Sequence, residues 1–97
     1  MQVSKKLESF LQGTKKLYIN GEFVASASSK TFDTPNPATG ETLATLYEAG
    51  PEDVDKAVKA AREAFDHGEW RTMPPAERSR LMYKLADLME EHKNELA

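Results

Sequence analysis

The sequence predicts an α+β fold in which two β-hairpins are followed by two amphipathic helices, and three observations carry that expectation. Asn20-Gly21 stands between the apolar runs Leu17 to Ile19 and Phe23 to Val24. Asn-Gly is the strongest short-range hairpin signal, because both central positions of a type I′ turn need positive φ. Asn36-Pro37-Ala38-Thr39-Gly40 has turn chemistry at every position and separates two more strand-like runs. From Pro51 onward the apolar spacing changes to the i, i+3, i+4, i+7 pattern of a helix.

Each element has its own justification. Val3, Leu7, Phe10 and Leu11 share a face at helical spacing and Gly13 supplies a left-handed stop, so residues 3–12 read as a short amphipathic helix. It is too short to persist without a partner. After the Asn20-Gly21 hairpin and a small polar linker, Ser26 to Lys30, the run Thr31-Phe32-Asp33-Thr34 reads as a strand. Pro35 and Pro37 cannot donate to a ladder, so this strand ends there or lies at an edge. Glu41 to Ala49 resumes as a strand carrying Leu43, Leu46 and Tyr47.

Pro51 suits the first position of a helix, and Glu52, Asp53 and Asp55 complement its positive start. Val54, Ala57, Val58, Ala61, Ala64 and Phe65 form its apolar stripe, and Gly68 marks its end. The alanines imply a close approach by a neighbouring element. A second helix is expected from about Pro74-Pro75, presenting Leu81, Met82, Leu85, Leu88 and Met89, with Leu96 continuing the face. Trp70, in the connection, is expected to pack across both helices. The second helix meets no stop signal, and its periodicity runs to Glu95-Leu96-Ala97 as though cut. The organisation is one incomplete domain: an N-terminal helix or flexible arm over residues 1–14, a hairpin segment over 15–49 and a two-helix segment over 50–97.

Composition excludes several functions. With 39% hydrophobic and 30% charged residues the chain is globular rather than disordered. No apolar run reaches the ~18 residues that a membrane span needs, and the N-terminus has no apolar signal region, which points to a cytoplasmic protein. A net charge of −3 argues against nucleic acid, and Lys5-Lys6 and Lys15-Lys16 read as solvated pairs rather than a basic patch. There is no cysteine, hence no disulfide, no cysteine-ligated zinc and no thiol nucleophile in these residues.

The candidate sites are sparse. No phosphate-binding P-loop, dinucleotide-binding glycine fingerprint or serine-nucleophile elbow occurs. His67 favours the negative end of its helix, and His92 lacks partners at metal-ligand spacing. Glu90 and Glu91 are adjacent on a helix and diverge, so they do not form an acid and base pair. Met82 and Met89 read as core or subunit contact.

Four stretches taken together go further: YINGEFV at 18–24, TFDTPNPATGE at 31–41, EDVDKAVKAAREAF at 52–65 and ERSRLMYKLADLMEEHKNELA at 77–97. In this order they resemble the N-terminal segment of an NAD(P)-dependent aldehyde dehydrogenase. The resemblance implies an α/β enzyme of which this chain forms a peripheral part of the Rossmann-like coenzyme-binding domain. It also implies oxidation of aldehydes to carboxylic acids through a thiohemiacetal on a cysteine, hydride transfer to NAD or NADP, and hydrolysis assisted by a glutamate. None of the family's catalytic motifs falls within these residues, so no catalytic or cofactor-binding residue, no cofactor and no activity are expected of this chain alone. In some members, backbone carbonyls at the position of Thr34-Pro35 bind a monovalent cation, making Thr34 and Pro35 the candidate site residues. The implied partners are the remainder of an aldehyde dehydrogenase or another copy of the chain. The competing expectation is a freestanding, non-enzymatic module that docks on a full-length dehydrogenase subunit or on itself.

Overall fold

A computed structural model describes residues 4–97; Val3, assigned by periodicity to the first helix, lies outside them. The first element, α1 (Lys5–Leu11), starts where the Ser4 hydroxyl accepts the Leu7 amide at 3.2 Å. It stops as Gln12 turns extended and Gly13 takes φ +73°. Lys15 then folds back, its Nζ donating to the Phe10 and Gln12 carbonyls that the helix end leaves open.

Lys15 thus lies within the structure rather than flanking it. With Thr14 it forms β1 (Thr14–Lys15), which pairs in parallel with Thr45 and Leu46 of β5 (Thr42–Tyr47). A two-residue parallel pairing across thirty residues has no sequence period to announce it.

Next, β2 (Leu17–Ile19) and β3 (Glu22–Val24) make the expected antiparallel hairpin. Asn20 and Gly21 take φ of +53° and +79°, the positive pair that a type I′ turn requires. Tyr18 faces Phe23 across the strands with ring centroids 4.9 Å apart. This hairpin is its own two-stranded sheet, separate from the three-stranded sheet ordered β1-β5-β4.

The second hairpin joins β4 (Thr31–Pro35) to β5. Asn36 organises the turn: its Oδ1 accepts the Ala38 amide at 2.9 Å, and its carbonyl accepts the Gly40 amide at 2.7 Å. Gly40 sits at φ +77°, where a side chain is strained. The strand β4 runs through Pro35 rather than ending before it. It can do so because β4 is an edge of the sheet, where proline's missing donor faces no neighbour.

Helix α2 (Pro51–His67) follows with Gly50 as its N-cap and Pro51 in first position. Its key residue is Asp53, only 3% exposed. One carboxylate oxygen accepts the Gly50 amide at 2.9 Å and the other accepts the Ala27 amide at 3.0 Å. Asp53 therefore does more than complement the helix dipole: it ties the helix start to the linker before β4. At the other end Gly68 is extended (φ −76°), and a Cβ there would stand 2.2 Å from the Ala64 carbonyl oxygen. Glycine at this end is required by close approach, not by left-handed backbone.

The chain continues through α3 (Glu69–Thr72) into α4 (Pro75–Glu91) and α5 (Lys93–Leu96). The unbroken second helix expected from the sequence is corrected here. It is interrupted for one residue at His92 (φ −99°, ψ 15°), so Leu96 falls in α5. Two contacts meet at the break: Lys6 Nζ lies 2.7 Å and His92 Nδ1 lies 3.5 Å from Glu95 Oε1. Trp70, in α3, lines grooves with Ala64 and Phe65 of α2 and with Arg78 and Met82 of α4, and stays half-exposed.

Packing between elements is thin. Ala57, Ala60, Ala61 and Ala64 of α2 face Tyr18 to Gly21 at the hairpin tip, the close approach that the alanines imply. Yet among the described residues Ala44, at 7% exposure, is the sole buried hydrophobic side chain. The radius of gyration is 17.2 Å, against about 13 Å for a compact domain near 100 residues.

Two predictions follow from these contacts. In amide hydrogen exchange, Asp53→Ala should accelerate Ala27 and Gly50 by roughly 10- to 100-fold, the range for losing a hydrogen bond to a charged group. Glu52→Ala, at the same exposed helix start, should leave both within about fivefold; equal acceleration by the two changes would assign the effect to the helix dipole alone. The second concerns Glu95, whose carboxyl is held below its ordinary pKa first by the Lys6 hydrogen bond and then by His92. A depressed carboxyl favours the folded contact above the ordinary carboxylate range, and that preference is lost as pH falls through the lowered value. Carbon NMR should show Glu95 titrating below the other exposed glutamates, with Lys6→Gln moving it back up; an unmoved midpoint would rule out the link between α1 and α5.

Candidate functional site

Thr34 and Pro35 sit at the one irregularity of the larger sheet. Thr34 pairs with Ala44 and Pro35 with Thr42, so Leu43 is an extra residue on β5 and the ladder shifts between the two candidates. Thr34 is half-buried and Pro35 exposed at the outer edge of β4. The nearby Asp33 carboxylate is engaged, accepting the Thr45 hydroxyl at 2.6 Å. What the corner offers is carbonyl oxygen at a strand edge, a donor suited to a hard cation. Hard cations take on the order of six oxygens. The donor type fits, but two carbonyls are an incomplete set.

No group of three or more histidine, aspartate or glutamate side chains able to hold a metal occurs among the described residues. His67 Nδ1 lies 3.1 Å from Glu63 Oε1 on the last turns of α2. Glu90 takes Lys93 at 2.8 Å, and Met82 and Met89 lie half-exposed on α4. None of these is brought to Thr34-Pro35 or into a common cleft.

The helix starts are equally uncommitted to anions. Phosphate binding at a helix N-terminus needs free amides and a positive end. At α2 the Asp53 carboxylate already takes the Gly50 amide, with Glu52 beside it. At α4, Pro74 and Pro75 remove two amides. These residues do not fit the phosphates of a dinucleotide, and no chemical step through one is assigned to them.

Three features escaped the sequence reading. The burial of Asp53 was signalled only by its place three residues after the cap. Ser26 is buried with its Oγ unpartnered among the described residues. Arg62 and Arg71 both lie over the exposed Phe65 ring, at 5.5 and 5.6 Å from its centroid. Arg62 is three residues before Phe65 on the helix, whereas Arg71 arrives from α3 with no local signal.

Comparison with known proteins supplies what the geometry withholds. Residues 23–97 match the model of the aldehyde dehydrogenase family. DhaS of Bacillus subtilis (strain 168) is 82% identical over all 97 residues, which span 20% of that protein. An aldehyde dehydrogenase of Geobacillus stearothermophilus is 71% identical over 65 residues, 67% of this chain and 89% of that sequence. In structure, the NAD+ complex of aldehyde dehydrogenase from Bacillus cereus superposes with a TM-score of 0.92 at 54% identity, covering 99% of this chain and 20% of that one. Betaine aldehyde dehydrogenase from Staphylococcus aureus in complex with NAD+ gives 0.86 at 35% identity, covering 96% and 18%. The small sheets and two long helices thus match a portion of structures that bind NAD+, and the chain belongs to the aldehyde dehydrogenase family.

Proposed function

We propose that this chain serves as framework in an NAD-dependent aldehyde dehydrogenase of the cytoplasm, as a peripheral part of the coenzyme-binding domain, and carries none of the reacting groups. The observation that supports this reading most directly is chemical. Thiohemiacetal chemistry needs a thiolate, and no cysteine occurs in the sequence, while the chain spans only 20% of the length of DhaS. Within the whole enzyme, the residues here position neighbouring structure. The hairpin tip lies on the alanine face of α2, and Asp53 fixes where that helix begins.

The substrate class is aldehydes, the coenzyme is NAD, as in the solved relatives, and the partner is the rest of the dehydrogenase. The purified chain with NAD+ and short aldehydes should form no NADH. A chimera in which it replaces the matching fifth of the Bacillus cereus enzyme should turn over within about tenfold of that enzyme, since apolar substitutions cost little when volume and pattern are kept. Turnover by the chain alone, or a folded but inactive chimera, would sink the proposal.

Thr34 and Pro35 belong to the same reading. Their carbonyls contribute two ligands to a monovalent cation whose remaining oxygens come from the rest of the enzyme. The thermal midpoint of the chimera should rise saturably with potassium or sodium and not with choline. No such difference should appear in the isolated chain, and a chimera indifferent to the cation would remove the site.

A further inference from the structure

We propose that Asn20-Gly21 is a site of spontaneous covalent modification, at which the Gly21 amide nitrogen attacks the Asn20 side-chain carbonyl and water completes the conversion to aspartate or isoaspartate. The site does not depend on the framework role and lies apart from Thr34-Pro35.

Water is the only co-reactant required. A bond forms between Gly21 N and Asn20 Cγ, the Cγ–Nδ2 bond breaks, and ammonia leaves with the amide proton, giving a five-membered succinimide. Water then opens the ring. Attack at Cγ gives aspartate on an unchanged backbone. Attack at the Asn20 backbone carbonyl gives isoaspartate, in which the chain runs through Cβ and Cγ and is one carbon longer.

The chain has asparagine at 20, 36 and 94, and the residue that follows each separates them. Pro37 has no N–H and cannot supply the nucleophile at Asn36. At Asn94, in α5, the Glu95 nitrogen carries a side-chain-bearing carbon and its N–H already donates to the His92 carbonyl at 3.0 Å. Gly21 has no Cβ to hinder the approach, and the space where one would stand is open. Asn20 and Gly21 are both exposed at the hairpin tip, and among the described residues the Gly21 amide donates to no acceptor in the turn. Solvent reaches the pair, and its nucleophile is uncommitted.

The two products differ in consequence. Asp-Gly suits a type I′ turn as Asn-Gly does, so aspartate keeps the hairpin and adds one negative charge beside Glu22. Isoaspartate lengthens the two-residue loop between Ile19 and Glu22, which pair across it. Loop length sets hairpin register, so the Tyr18 and Phe23 rings, 4.9 Å apart, lose their alignment and the tip shifts from Ala57 and Ala61 of α2.

The full chain, incubated in native buffer and mapped by mass spectrometry after chromatographic separation of the two products, tests this. Asn20 should be lost at least about tenfold faster than Asn36 or Asn94. Isoaspartate and aspartate should both form, and one pH unit above neutrality should speed the loss about tenfold, because the deprotonated amide is the nucleophile. Asn20→Gln, which would need a six-membered ring, should stop it. The NMR contact between Tyr18 and Phe23 should persist in Asn20→Asp and vanish in the isoaspartate fraction. Loss at Asn94 as fast as at Asn20, or aspartate formed without isoaspartate, overturns the site. A Tyr18–Phe23 contact that is the same in both fractions overturns the effect on the hairpin.

Discussion

The structure depends most on one carboxylate. Asp53 is the buried charged group among the described residues, and its two oxygens join pieces of chain that are far apart in sequence. Through Gly50 it sets the first turn of α2, and through Ala27 it fixes the linker between the two hairpins. The alanine face of α2 can meet the hairpin tip only if the helix starts at that place and in that direction. A charge removed from water is costly unless it is well paired. Here the pairing is with backbone amides alone, so the arrangement is specified by geometry and not by a partner cation.

Around this clasp there is little else to hold a fold. One small side chain, Ala44, is the buried hydrophobic residue, and the cross-strand pair Tyr18 and Phe23 stands largely in water. Hydrophobic burial is the dominant favourable term in folding, and this chain realises little of it within itself. The sequence nevertheless has apolar stripes of full length on both long helices. That mismatch between stripe and coverage is the physical observation that supports the framework role proposed here.

Local chemistry was legible and long-range pairing was not. Asn20-Gly21 announced its hairpin because positive φ at two successive positions admits few residue pairs, and Pro51 announced a helix start for the same kind of stereochemical reason. The parallel contact of β1 with β5, the Ala27 bond to Asp53 and the approach of Lys6 to Glu95 have no period or spacing to read. The break at His92 was missed because apolar periodicity reports a face and not the backbone beneath it. At Thr34-Pro35 the sequence showed a proline at a strand end. The extra residue Leu43, which displaces the ladder there, depends on how the partner strand responds to a missing donor, and that response is a property of the pair.

Separation of framework from chemistry is built into the same residues. A helix start that binds a phosphate must leave its amides open and its charge positive. Asp53 closes the start of α2 in order to hold the linker, and Pro74-Pro75 closes that of α4 in order to begin a helix directly after a turn. Each end has thus been committed to architecture. A segment that uses its helix termini in this way gains definition of shape at ends that would otherwise be open to an anion.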